Sequence, residues 1–335
     1  MSDTEILRST PVPLNVISLD EEVAPRTNGA ETRFENPPDS SALTESWIEN
    51  SVDLPYAAVG RVFAKYGLVD ANGNVGQATY SVGHGSGFIV GPRTIITAAH
   101  VVAPFAISRS SGLKTRLKSV KFYPMYQGSE VGGYGPNGSS WSGYELFVHA
   151  DYQPIPAGAR EPERYPNGGA YKVNYAADIA AIVTSPNRGE LPPRRLGITA
   201  SKPLEEFDGQ ECLGLGYPTA GRFQRPDGYY RMWESPGDFY VHRKSGNTVS
   251  EDFTLKQSDL SPGCSGGPWV PTTGQFKNFA IGLNSITTSG SDNPMISPKF
   301  DEDLQEVLAE VLRFESSIND GRQPTDSGYK RILRT

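Results

Sequence analysis

Ser261-Pro262-Gly263-Cys264-Ser265-Gly266-Gly267-Pro268-Trp269 sets a serine on a turn that glycine tightens from both sides. Glycine takes φ values and close approaches that a side chain forbids, so backbone N–H groups here can share one space with the Ser265 hydroxyl. A serine alcohol is a weak nucleophile at neutral pH. It needs a base beside it and an anion cradle around it. The N–H groups of Gly263 and Ser265 are the candidate cradle. Alone, the same run also describes an ordinary β-turn, so the decision rests on what accompanies it.

Two further stretches supply that company. The run from Gly87 to Thr97 holds an apolar strand, a Gly91-Pro92 turn and a second β-branched strand. Ala98 and Ala99 then leave room for the imidazole of His100 to turn inward. Asp178-Ile179-Ala180-Ala181-Ile182-Val183 places an acid at the head of an apolar strand. Taken singly, His100 reads equally as a core histidine and Asp178 as a strand-end cap. In the chain order His, Asp, Ser they compose a nucleophile, its base and the group that orients the base.

With those residues the chain resembles the trypsin/chymotrypsin superfamily of serine proteases, and within it the bacterial glutamyl-endopeptidase-like branch. The resemblance is carried by Pro55-Tyr56-Ala57-Ala58-Val59-Gly60-Arg61, Thr97-Ala98-Ala99-His100, Asp178-Ile179-Ala180, Gly216-Tyr217-Pro218 followed by Met232-Trp233, and Gly263-Cys264-Ser265-Gly266-Gly267-Pro268. These fall in family order over residues 48–315. The resemblance implies an all-β fold: two six-stranded antiparallel Greek-key barrels, chymotrypsin-like, with a C-terminal helix. It implies a serine endopeptidase that hydrolyses peptide bonds through an acyl-enzyme, with His100, Asp178 and Ser265 catalytic and Gly263 and Ser265 forming the oxyanion hole. The substrate is then a protein or peptide. His84, His149 and His242 come with no ligand-spaced Cys, Asp or Glu cluster, so no metal or cofactor is expected. Two other functions remain compatible with the same residues: a catalytically silent binding module, and a regulatory protease dedicated to one partner protein.

The resemblance also frames the substrate pocket and the cysteines. Glutamyl endopeptidases carry a carboxylate-binding histidine after Gly-Ile on the pocket wall. Here Ala280-Ile281-Gly282-Leu283-Asn284-Ser285 puts Asn284 at that place, which removes a positive charge. Asp259 lies six residues before Ser265, where trypsin has its pocket-floor carboxylate, and it reads either as a floor selecting Arg or Lys or as a structural acid. Asp259, Asn284 and Ser285 are therefore the expected pocket residues. Many secreted relatives bridge two cysteines whose places are held here by Gly85 and Val101. Only Cys212 and Cys264 are present. Viral relatives use a cysteine nucleophile, which makes Cys264 a rival. The Gly-Gly-Pro register follows Ser265 and favours the serine.

Along the chain, residues 1–46 hold no apolar run of signal-peptide length and read as a disordered lead or a prosegment. Residues 47–318 form the protease domain, with barrel one over 54–190, barrel two over 196–298 and a helix over 301–316. Residues 319–335 form a tail. Strands are expected at 57–63, 87–90, 94–97, 117–123, 144–149 and 179–184, then at 210–216, 228–234, 239–242, 253–256, 267–270 and 279–284. Leu304, Val307, Leu308, Val311 and Leu312 recur at helical spacing and predict one apolar stripe. A net charge of −7 disfavours a nucleic-acid partner, and no apolar run spans a membrane. Two cysteines and no readable export signal point to a cytoplasmic location.

Overall fold

The computed structural model describes residues 53–70, 81–103, 115–126, 140–149, 151–152, 175–185, 189–199, 204–219, 232–242, 253–258, 262–287, 294–300 and 302–319. It also describes Asn74, Gly76, Leu260 and three two-residue strands at Leu7–Arg8, Pro156–Ala157 and Glu161–Pro162. Leu7–Arg8 pairs antiparallel with Phe147–Val148. The rest of the expected lead, the 320–335 tail, Asp259, and most of the two loop insertions of barrel one lie outside the described residues.

Six antiparallel strands close the first barrel: β1 (Val59–Leu68), β2 (Ser81–Ile89), β3 (Thr94–Thr97), β4 (Thr115–Pro124), β5 (Trp141–Val148) and β6 (Ala180–Thr184). The ladder runs β5-β4-β1-β2-β3-β6 and returns from β6 to β5, so these six strands leave no open seam. β3 and β6 are buried along their whole length, so both of their faces are covered. One cover is α2 (Glu302–Asn319), whose Phe314 ring packs edge-on to Phe147, 5.6 Å between centroids, and stacks on Tyr144 at 6.3 Å.

The helix differs from the expected stripe in one respect. Leu304, Val307 and Val311 are buried, but Leu312 is 55% exposed, and Phe314 and Glu315 are buried instead. At 100° per residue Leu312 falls on the rim of the stripe, whereas Glu315 falls near its centre. The buried carboxylate is satisfied by the β2–β3 turn: its Oε1 accepts from Arg93 N–H at 2.8 Å and from Thr94 Oγ1 at 2.6 Å. A polar anchor thus continues the apolar face.

The second barrel is built from β7 (Glu211–Gly216), β8 (Trp233–His242), β9 (Phe253–Gln257), β10 (Pro268–Pro271), β11 (Gly282–Leu283), β12 (Ile286–Thr287) and β13 (Pro294–Pro298). The ladder order is β11-β10-β7-β8-β9-β13-β12. Its ends are drawn together by Leu283 N–H donating to Ser297 Oγ at 2.8 Å and Ser285 N–H donating to Ile296 O at 3.0 Å. Two strand expectations change here. Residues 228–231 of the expected strand 228–234 lie outside the described residues, and its end joins 239–242 in β8, which runs through Ser235-Pro236-Gly237 opposite Gly214 to Cys212. The proline is accommodated because β9 pairs only with residues 239–242, leaving the other side of Pro236 without a ladder. The expected strand 279–284 breaks into short pieces: Ile281 turns into the core of the second barrel, while Asn284 and Ser285 bond the serine loop and Asp178.

Two apolar clusters hold the molecule. One fills barrel one, crosses the seam at Leu215 and Tyr217 and takes in α2; the other, around Trp269, Phe239, Phe207 and Ile281, fills barrel two. At the seam, Arg61 is fully buried, its guanidinium 4.8 Å from the Phe63 ring centroid and 5.2 Å from that of Tyr126. Its Nη2 donates to His84 Nδ1 at 3.4 Å, and burial together with the nearby guanidinium pushes the His84 pKa down to about 3. Tyr126 in turn packs edge-on to Tyr217 of the second barrel, 6.2 Å between centroids.

Candidate active site

The cleft between the barrels is assembled around one carboxylate. Asp178 follows a 3-10 turn (Tyr175–Ala177) at the head of β6 and is fully buried. Taking a carboxylate out of water is costly unless donors replace the hydration. Three do. His100 N–H donates to Oδ1 at 2.8 Å, the His100 imidazole meets Oδ2 through Nδ1 at 2.7 Å, and Ser285 Oγ donates to Oδ2 at 2.5 Å. A carboxylate only accepts, so Nδ1 carries the proton shared with Asp178. The imidazole is therefore oriented by Asp178 through Nδ1, with Nε2 on the far side of the ring.

His100 lies on α1 (Ala99–Val102), a single turn directly after β3. The turn is braced from behind by Tyr66, whose phenol donates to Val101 O. Burial alone raises the Tyr66 pKa well above the usual phenol range, so the phenol stays a donor. Gly85 packs against Val101, where a Cβ would fall 2.6 Å from Val101 Cγ1. An apolar contact thus occupies the place where relatives put a disulfide. Tyr175 borders the imidazole, 6.4 Å between ring centroids.

Ser265 reaches the same place from the second barrel. Gly266 N–H donates to Asn284 O at 2.7 Å, one residue before the Ser285 that holds Asp178. On the other side Ser86 N–H donates to Ser265 O at 2.7 Å. A Cβ on Gly266 would fall on Thr97 Oγ1 and Ser86 O and 2.7 Å from Ala98 N, in the segment leading to His100. That crowding, with φ at +87° for Gly266 and +98° for Gly263, makes both positions glycine-only. Ser265 is partly exposed. Among the described residues no hydrogen bond uses the N–H of Gly263 or Ser265. The loop therefore carries a partly exposed hydroxyl and two backbone donors without a partner among the described residues, packed against the segment that leads to His100.

The expected pocket residues fare differently. Asn284 is fully buried with its amide committed at both ends: Nδ2 donates to Leu215 O at 2.8 Å and Cys264 O at 3.2 Å, and Oδ1 accepts from Trp269 Nε1 at 2.8 Å. It ties β7, β10 and the serine loop together and offers nothing to a substrate. Ser285, expected on the pocket wall, has its hydroxyl on Asp178. Asp259 is outside the described residues. Cys264, the rival nucleophile, is buried in the second barrel's cluster with Trp269 and Phe239. Its side chain joins the core, while the neighbouring Ser265 is partly exposed.

Three contributors escaped the sequence: Ser285 as a ligand of Asp178, and Ser86 and Thr219, which bond the serine loop. Ser86 stands in Gly85-Ser86-Gly87, between two glycines, but nothing in its spacing pointed across the barrels.

The family described as trypsin-like peptidase domain matches residues 85–277, more than half of the chain. No curated protein sequence matches it significantly. Among solved structures the chain is similar to a thermostable serine protease from an extremophilic microorganism, at 18% identity over 76% of this chain and 97% of that one, TM-score 0.48. It is also similar to the protease Anisep from Arthrobacter nicotinovorans, at 17% over 76% and 95%, TM-score 0.47. A Glu endopeptidase matches at 19% over 82% and 97%, TM-score 0.49.

Proposed function

The chain belongs to the trypsin-like peptidase family, and we propose that it cleaves peptide bonds through an acyl-enzyme formed on Ser265. The observation that carries this reading is the buried Asp178 carboxylate bonded to both the backbone and the Nδ1 of His100. That arrangement leaves Nε2 as the proton acceptor and gives an imidazolium, once formed, an adjacent negative charge. Ser265 Oγ attacks the substrate carbonyl as its proton passes to His100. The oxyanion is received by the N–H groups of Gly263 and Ser265. His100 then protonates the leaving amine, and a water molecule, deprotonated by the same imidazole, releases the acyl group. A donor to the oxyanion is worth about 3–4 kcal/mol in such sites.

The same reading gives no support to glutamyl selectivity through position 284, because the Asn284 amide is used up inside the protein. The test is hydrolysis of an unfolded polypeptide and of a peptide panel by the full chain. Cleavage by the wild type, lost in Ser265→Ala and in His100→Ala, is the expected result. Cleavage retained in Ser265→Ala would overturn the reading.

A further inference from the structure

Two side chains outside the catalytic set hold consecutive carbonyls of the serine loop from opposite barrels. Thr219, just past β7, donates to Pro262 O with its N–H at 2.6 Å and with Oγ1 at 3.1 Å. Ser86, on β2 of the first barrel and fully buried, donates through Oγ to Gly263 O at 3.0 Å. The same Oγ accepts Tyr217 N–H at 2.9 Å, so its hydrogen is committed to Gly263 and its lone pair to the second barrel. Ser86 N–H adds the bond to Ser265 O.

The consequence for the loop is geometric. In a planar trans peptide the C=O and N–H point in opposite directions. The bond carrying Gly263 N–H is the one whose carbonyl Thr219 grips, so fixing Pro262 O fixes the direction of that donor. Gly263 is the residue about which such a plane can turn most freely, since it has no side chain and already sits at positive φ. Clamping its own carbonyl through Ser86 removes that freedom. The Thr219 side chain also closes the space beside Gly263, where a Cβ would fall 2.8 Å from Thr219 Cγ2 and Oγ1.

We propose that Ser86 and Thr219 are positioning residues that preset the Pro262–Gly263 peptide plane, whose N–H is one of the two oxyanion donors, before substrate arrives. The proposal rests on the peptidase reading above. Donors set in advance cost no reorganisation in the transition state, which is where their effect on rate arises. Both hydroxyls are committed to loop carbonyls, so their loss is expected to act on kcat rather than on KM.

The experiment compares wild type, Thr219→Val, Thr219→Ser and Ser86→Ala. It measures kcat and KM on a peptide, affinity for a peptide boronic acid that mimics the tetrahedral oxyanion, and amide hydrogen exchange over 262–267. Thr219→Val keeps shape and the backbone bond and loses only the hydroxyl. It lowers kcat by about tenfold, short of the 10²–10³ for deleting a donor outright, with KM within twofold. Boronate affinity falls by the same factor as kcat/KM, exchange in 262–267 quickens, and Thr219→Ser restores all three. Ser86→Ala shows the same kcat-over-KM pattern. Unchanged kcat and boronate affinity in both Thr219→Val and Ser86→Ala would overturn the proposal, as would a Thr219→Ser as impaired as Thr219→Val. If the wild type turns over no peptide, the peptidase reading fails by itself. Exchange then decides the clamp, and unchanged protection of 262–267 in both variants refutes it.

Discussion

At the scale of single residues, the site turns on how a buried carboxylate is satisfied by hydrogen-bond donors and put to use. Asp178 is fully buried, so each of its three donors matters, but not equally. Replacing the acid by an amide, Asp178→Asn, keeps the shape and puts an N–H where an acceptor is needed. The imidazole is then offered the wrong tautomer, and kcat on a peptide falls about 10⁴-fold. Removing one donor is milder. Ser285→Ala leaves both His100 bonds in place and lowers kcat about tenfold, consistent with one hydrogen bond to a charged group. Equal losses in the two variants would mean that Ser285 carries more than one bond's worth of the geometry. The neighbouring Cys264 gives the opposite expectation. Its thiol is enclosed in the second barrel's core, so Cys264→Ser costs stability and leaves kcat per folded molecule near wild type. A loss matching that of Ser265→Ala would identify the wrong nucleophile.

At the scale of elements, the C-terminal helix shows what periodicity can and cannot tell. Its start, its length to within a few residues and four of its five stripe positions were legible, because spacing alone dictates which side chains share a face. Its true register against the barrel was not, because that was decided by the Phe314 ring meeting Tyr144 and Phe147 and by a buried Glu315 bonding the β2–β3 turn. A charged residue at the centre of an apolar face reads as a break in the pattern until its donors are known. The contrast is measurable by denaturant unfolding: Phe314→Ala costs about 3–5 kcal/mol, whereas Leu312→Ala, on an exposed rim, stays within about 0.5 kcal/mol. A similar cost for both would place the helix in another rotation. The serine loop was legible for a related reason, since Gly263, Gly266 and Gly267 mark close backbone approach wherever they occur. The roles of Asn284, Ser285, Ser86 and Thr219 were not, because each depends on a contact between segments distant in sequence.

At the scale of the whole molecule, the two barrels meet over an aromatic box that encloses Arg61 and lies behind the serine loop, with Ser86 opposite Arg61 in the ladder. The His84 imidazole belongs to that box and is held neutral by burial first and by the Arg61 charge second. Its folded pKa, about 3, lies below the 6.5 of an unfolded histidine. Between those values the unfolded chain binds the extra proton, so stability is full above pH 6.5 and declines as pH falls toward 3, by at most ~1.4 kcal/mol per pH unit. His84→Gln keeps an acceptor for Arg61 and does not titrate. Its melting temperature therefore drops less than that of the wild type between pH 7 and pH 4.5; equal drops would remove His84 from the acid response.

The central claim is that the barrels bring an activated serine into being at position 265. A fluorophosphonate reagent reacts only with such a serine. On purified full-length protein, the account predicts covalent labelling of the wild type at Ser265, and none in Ser265→Ala or His100→Ala. Labelling that survives in Ser265→Ala, or a wild type that reacts no faster than His100→Ala, would contradict it.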